Sequence, residues 1–158
     1  MLLHASCVAL RGDAVLILGP PGSGKSDLAL RLLHEGWGLV ADDQVRLTPD
    51  GAGGPLRAGS PAALRGMLEV RGLGVFRDLP VATADPPPVL RLAVRLAPRA
   101  EVPRLPEPAA WRCAGIAVPA VTLHPFDASA PAKLALALAA AAGRARQAAG
   151  AFRVEDGR

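Results

Sequence analysis

Five apolar residues run without a break from Ala14 to Leu18, and a Gly- and Pro-rich stretch follows at once. That pattern predicts a short buried strand ending in a tight loop. Leu28, Leu32 and Leu33 then recur at helical spacing, which predicts a helix from Lys25 to about Glu35, stopped by Gly36. Upstream, Leu2 to Leu10 reads as a first strand with His4 inside it, and Arg11-Gly12-Asp13 as a hairpin turn. Downstream, Trp37 to Ala41 is a short strand, Gln44 to Thr48 is extended, and Pro49-Asp50-Gly51 is a turn. The stretch on to Pro61 is loop with room for one short strand. Gly66 to Phe76 is apolar but broken by Glu69, Arg71 and glycines, and Asp85-Pro86-Pro87-Pro88 is a stiff connector. Val89 to Leu96 and Ile116 to Leu123 read as strands, with Pro103 to Pro108 a loop between them. A loop from Pro125 leads into a last helix, opened by Pro131 or Ala132 and running from Lys133 to about Gln147. The order predicts one α/β domain over residues 1–149, with a mixed sheet, a C-terminal helix and a polar tail over 150–158.

Composition narrows the class. The 158 residues suffice for one core, and 51% hydrophobic residues argue against disorder. The apolar run from Leu134 to Ala142 is too short to span a bilayer, and the opening Met1-Leu2-Leu3-His4 lacks a basic leader, so a cytoplasmic protein is expected. Cys7 and Cys113 form no metal or disulfide pattern and read as buried thiols. The net charge is +4, but the arginines are scattered and aromatic residues are only 3%, so nucleic-acid binding is not expected. Of 18 basic residues only Lys25 and Lys133 are lysine. A chain that otherwise uses arginine keeps lysine where a compact ammonium is needed, or at Lys133 by chance at a helix start.

Gly19-Pro20-Pro21-Gly22-Ser23-Gly24-Lys25-Ser26 fits G-x-x-x-x-G-K-[ST] without mismatch, between a predicted strand and a predicted helix. Backbone N–H groups of such a loop turn inward around an anion, and the helix N-terminus adds partial positive charge. Lys25 would reach the β- and γ-phosphates, and the Ser26 hydroxyl would ligate Mg²⁺. Asp42 and Asp43 close the next strand, at the carboxyl ends of the strands where ligands of open α/β sheets sit. Adjacent carboxylates on extended chain point apart, so one can take a proton while the other orients a metal or a backbone group; a plain surface turn is the alternative. Glu69 and Arg71, two apart, share one face of a strand. They suit Mg²⁺ and phosphate respectively, or a salt bridge on a sheet face. His4 alone reads as a core histidine.

His4, the loop Gly19 to Ser26, Leu39-Val40-Ala41-Asp42-Asp43 and Leu68-Glu69-Val70-Arg71-Gly72-Leu73-Gly74 together resemble the catalytic domain of HPr kinase/phosphorylase. The resemblance is good from about residue 3 to 76 and traceable beyond. It implies a P-loop domain of the HPr kinase/PEP carboxykinase-like type that uses ATP and Mg²⁺ to phosphorylate a serine of HPr, a phosphocarrier of the sugar phosphotransferase system. It also implies the reverse phosphorolysis, in which inorganic phosphate releases pyrophosphate. By this resemblance Lys25 holds phosphates, Ser26 and Glu69 serve Mg²⁺, and Asp43 is the proton acceptor from serine. His4 matches the family's active-site histidine, and Arg104, in Pro103-Arg104-Leu105-Pro106, its later active-site arginine. Family members form hexamers.

Two departures qualify these expectations. The family commonly carries an N-terminal domain, and this sequence opens on the catalytic domain, as a short form would. The family's loop before its C-terminal helices reads V-R-P-G-R-N and is tied to phosphorolysis; here Leu123 to Lys133 lacks those arginines, and Lys133 is the nearby cation. Kinase activity is thus the firmer expectation. The rivals are a small-molecule P-loop kinase, which needs an arginine-bearing lid not evident after Phe76, and a non-catalytic ATP-sensing module.

Overall fold

The computed structural model describes residues 1–82 and 85–152. Eleven strands and two helices are present among them: β1 (Leu2–His4), β2 (Ser6–Leu10), β3 (Asp13–Leu18), α1 (Lys25–His34), β4 (Gly38–Ala41), β5 (Gln44–Pro49), β6 (Leu56–Gly59), β7 (Leu68–Val70), β8 (Gly74–Phe76), β9 (Val89–Leu96), β10 (Ala109–Cys113), β11 (Ile116–Leu123) and α2 (Ala130–Ala141). Nine strands form one mixed sheet in the order β1-β5-β6-β9-β3-β2-β4, with the β10–β11 hairpin attached through β11 to β9. Strand β9 runs parallel to β3 and to β11, and the other pairings are antiparallel. β7 and β8 make a separate hairpin. The expected mixed α/β sheet with a C-terminal helix is present.

The apolar run of β3 does not alternate because both its faces are covered. Val15 and Ile17 pack with Leu28 and Leu32 of α1 and Leu134 and Leu138 of α2. Ala14 and Leu16 face a second cluster with Val45, Leu47, Leu56, Cys113 and Val118. Successive side chains of a strand point to opposite faces, so one strand supplies both clusters. Helices cover one side, and the curled sheet's own strands fill the other. Cys7 and Cys113 are buried free thiols, and burial pushes the Cys7 thiol far up.

Several boundaries differ from expectation. The first strand is split at Ala5: β1 pairs with β5, whereas β2 pairs with β3 and β4. Trp37 lies outside β4, its N–H bonded to the Leu32 carbonyl at the end of α1. β10 was not foreseen. The last helix stops at Ala141 rather than near Gln147, because Gly143 takes φ +80°, the left-handed geometry that ends helices. In the expected tail, Ala151 is buried and Phe152 packs on the helix-side cluster, while residues 153–158 lie outside the described residues.

Candidate active site

The Gly19–Ser26 loop leaves the C-terminal end of β3 and opens α1 at Gly24, whose φ of +101° only glycine adopts without strain. A side chain at Gly19 would sit 2.4 Å from the Ser23 hydroxyl oxygen, so the loop closes on itself at that point. Lys25 Nζ donates to the carbonyls of Gly19 (2.7 Å) and Pro20 (3.0 Å), folded across the loop. Ser23 Oγ is buried without a hydrogen-bond partner. A buried hydroxyl without a partner costs stability unless something else bonds it, and here it sits in an anion-binding loop.

Asp42 is 8% exposed. Its Oδ1 accepts from Ser6 Oγ (2.7 Å) and Ser26 Oγ (2.9 Å), and its Oδ2 from the Glu69 N–H (3.4 Å). One carboxylate thus ties β2, the phosphate loop and β7 together. All three donors are neutral, so its charge has no countercharge among the described ion pairs. A buried carboxylate in that state attracts a cation. No cluster of three or more His, Cys, Asp or Glu side chains exists among the described residues, so the protein alone makes no cage. Mg²⁺ binds in this way, through one or two carboxylates plus substrate phosphates, and hard oxygens from Ser26, Asp42 and Glu69 fit it.

Asp43 turns the other way. Its φ is +72°, a left-handed geometry that Asp tolerates better than most residues. Its Oδ1 lies 3.2 Å from His4 Nε2, and the two side chains are 63% and 66% exposed. The pairing of β1 with β5 sets His4 opposite Gln44 and brings the imidazole to the neighbouring carboxylate. His4 is therefore not a core histidine. The expected divergence of the two aspartates holds, with Asp42 on the phosphate loop and Asp43 facing solvent.

Glu69 and Arg71 line a cavity of about 310 Å³ together with Gly22, Lys25 and Ser26. Glu69 is on β7, while Arg71 falls in the turn just after it. A cavity of about 380 Å³ elsewhere, between β4, β6 and Pro88, has Ser60, Arg65 and Asp85 as its polar side chains and no phosphate loop. Chemistry rather than size singles out the smaller one.

The solvent-facing His4–Asp43 pair is not part of this cavity's lining, and two further expected residues also stand apart from it. Arg104 is exposed on the loop after β9 and has no hydrogen bond or ion pair among the described contacts. Lys133, in the first turn of α2, lies 3.8 Å from Asp127 Oδ2. Asp127 also accepts from Arg99 Nη2 (2.6 Å) and Nε (2.9 Å). Hydrogen bonding from Arg99, against a smaller effect of burial, holds the Asp127 carboxyl below the usual range. Sequence reasoning missed Ser6, which no local pattern marks, since its bond to Asp42 spans 36 positions. It also gave no role to Arg31, whose guanidinium donates to the Pro125 carbonyl.

Comparison with known proteins adds an independent line. A family model described as the HPr Serine kinase C-terminal domain matches residues 1–81. The HPr kinase/phosphorylase of Bordetella pertussis is 47% identical over 74 residues, covering 47% of this chain and 24% of that protein. Its counterpart from Clostridium tetani is 46% identical over 78 residues (49% and 25%). That of Chromobacterium violaceum is 39% identical over 101 residues (60% and 30%). The chain thus spans about a quarter of the length of the curated relatives that it matches. The solved structure of the Hpr(Ser) kinase/phosphatase from Coxiella burnetii aligns with a TM-score of 0.71 at 25% identity, over 85% of this chain and 86% of that one.

Proposed function

Because the chain belongs to the HPr serine kinase C-terminal domain family, we propose that it transfers the γ-phosphoryl group of ATP to a serine of an HPr-like phosphocarrier protein. The observation that carries this reading is the divergent aspartate pair: Asp42 on the Ser26 hydroxyl, Asp43 facing outward beside His4. Phosphoryl transfer asks a protein mainly for positioning and charge neutralisation. The phosphate loop and Lys25 receive the triphosphate, and Ser23 Oγ is a free donor for one of its oxygens. Ser26, Asp42 and Glu69 would hold Mg²⁺, which would supply positive charge against that of the phosphates. Arg71 lines the same cavity and would offset the developing charge. Arg104 joins it only by family resemblance.

The incoming serine gives its hydroxyl proton to Asp43. Its oxygen forms a bond to the γ-phosphorus as the bond to the β-bridging oxygen breaks, and ADP leaves with that electron pair. His4 Nε2, 3.2 Å from Asp43 Oδ1, positions the carboxylate that receives the proton. In the reverse direction Asp43 returns a proton to the leaving serine oxygen and inorganic phosphate is the nucleophile. The forward direction is favoured here. The Leu123–Lys133 loop lacks the arginines of the family pattern, and the nearby cations Arg99 and Lys133 are paired with Asp127. ATP and a phosphocarrier meet in the cytoplasm, where this chemistry belongs, and a homo-hexamer is the assembly that the family resemblance suggests.

Labelled ATP, Mg²⁺ and a purified HPr-like carrier form the decisive assay. Label is expected on a carrier serine, with Asp43→Asn slower by about 10²–10⁴-fold. Unchanged transfer by Asp43→Asn removes the base. Label on a nucleotide acceptor and none on protein supports a small-molecule kinase; ATP binding without transfer to any carrier supports a sensor.

A further inference from the structure

We propose that Phe126 is the platform on which the nucleotide's base stacks, and that Arg31 and Arg99 hold it in place. The inference rests on the nucleotide reading above. Phe126 sits on the phosphate loop itself: a side chain at Gly24 would lie 2.9 Å from its Cζ and 3.1 Å from its Cε1. The residue is nevertheless 59% exposed and lines the same cavity as Lys25, Ser26 and Leu30. An aromatic ring that touches the loop's backbone and leaves most of its surface open is shaped for a flat partner.

The ring is pre-positioned. Arg31 donates to the carbonyls of Pro125 and of Asp127 on either side of it. Arg99 grips the Asp127 carboxylate through two nitrogens. His124 bonds the Ala97 carbonyl at 3.0 Å and meets Phe126 edge-on, with centroids 5.8 Å apart. Order established before binding lowers the entropy cost of the contact. Arg31 belongs to α1, which begins at the phosphate loop, so one helix sets both the anion cradle and the ring beside it.

Aromatic residues are scarce in this chain: three Phe, two Trp and no Tyr. Trp37 and Phe152 pack in the helix-side cluster, Trp111 packs against the other, and Phe76, exposed on β8, does not line the cavity. Phe126 and its cavity neighbour Leu30 carry no side-chain donor or acceptor for a base edge, and the Asp27 carboxylate in the same lining accepts from Arg31 Nε. The platform therefore holds any purine by its face and discriminates little between them.

Calorimetric titration of the protein with Mg²⁺ and ATP, GTP or inorganic tripolyphosphate tests this. Wild type is expected to bind ATP and GTP within roughly threefold of each other, and both about 5- to 100-fold tighter than tripolyphosphate. Phe126→Ala, checked by its melting curve, should erase that preference while keeping tripolyphosphate affinity. Phe126→Trp should keep it and lose fluorescence with ATP but not with tripolyphosphate, relative to wild type. A full preference in Phe126→Ala, or none in wild type, overturns the proposal. Failure of transfer to any carrier, with a Phe126-dependent preference intact, sinks the kinase reading and leaves this one standing.

Discussion

Strand β3 has a buried aspartate at each of its ends, and the two are opposites in chemistry. Asp13, its first residue, and Asp42, beside the loop that leaves its last, are each 8% exposed. Asp13 is gripped by guanidinium groups, Arg91 Nε and Arg144 Nη1, each at 3.0 Å. Asp42 has only two hydroxyls and a backbone amide. Asp13 is neutralised within the fold and pins the chain after α2 to the sheet. Asp42 keeps an uncompensated charge and a neighbour, Asp43, turned outward. Equal burial therefore does not mean equal purpose; the sign of the partners separates a clamp from a site.

The sharpest way to break this comparison is to exchange the consequences. Asp43→Asn should lower carrier phosphorylation by about 10²–10⁴-fold and leave the melting temperature nearly unchanged, whereas a large loss of stability would make Asp43 structural. Asp13→Ala should do the reverse. Removing the shared acceptor of two half-exposed arginines costs about 1–3 kcal/mol, read as a fall of several degrees in melting temperature, with ATP affinity unaltered. Weakened ATP binding in that variant would deny that the two ends are independent.

A pH series sharpens the same contrast. Burial on its own would raise the Asp13 carboxyl, but hydrogen bonds from Arg144 and Arg91 outweigh it and hold it below the usual range. A depressed carboxylate contributes stability that is present above its unfolded value, about 3.9, and lost as pH falls through the lower folded value. The melting-temperature gap between wild type and Asp13→Asn should thus persist from neutral pH to about pH 4 and close below it. An equal gap at pH 2 and pH 7 rules the clamp out. The smallest effect is expected from Lys133→Ala, whose ion pair is exposed and long. Stability should change by less than about 1 kcal/mol. Pyrophosphate formation from phosphorylated carrier and inorganic phosphate should fall more than ATP affinity, and equal losses would remove Lys133 from phosphate handling.

Much of the site could be read from the chain because its parts are local. The phosphate loop is eight consecutive residues, and Glu69 with Arg71 is a spacing of two. Strands Val89–Leu96 and Ile116–Leu123 fall where alternation and flanking prolines put them. β10 escaped notice because Ala109-Ala110-Trp111-Arg112-Cys113 is a mostly exposed edge strand, held by its hairpin with β11 rather than by its own pattern. The last helix ends short of Gln147 because at Gly143 backbone geometry outweighs the helix propensity of the alanines around it.

Local order along the chain determined the anion cradle, the family and the mixed α/β class, since each rests on short-range periodicity or on a contiguous motif. The partners of the charges were decided only by tertiary structure. His4 reaches Asp43 because β1 leaves the line of β2 at Ala5 and pairs with β5. Ser6 reaches Asp42 across 36 positions, and Arg31 reaches the Phe126 loop across more than 90. Strand register and helix docking set those meetings, and both follow from burying apolar faces far apart in sequence, which no local window contains.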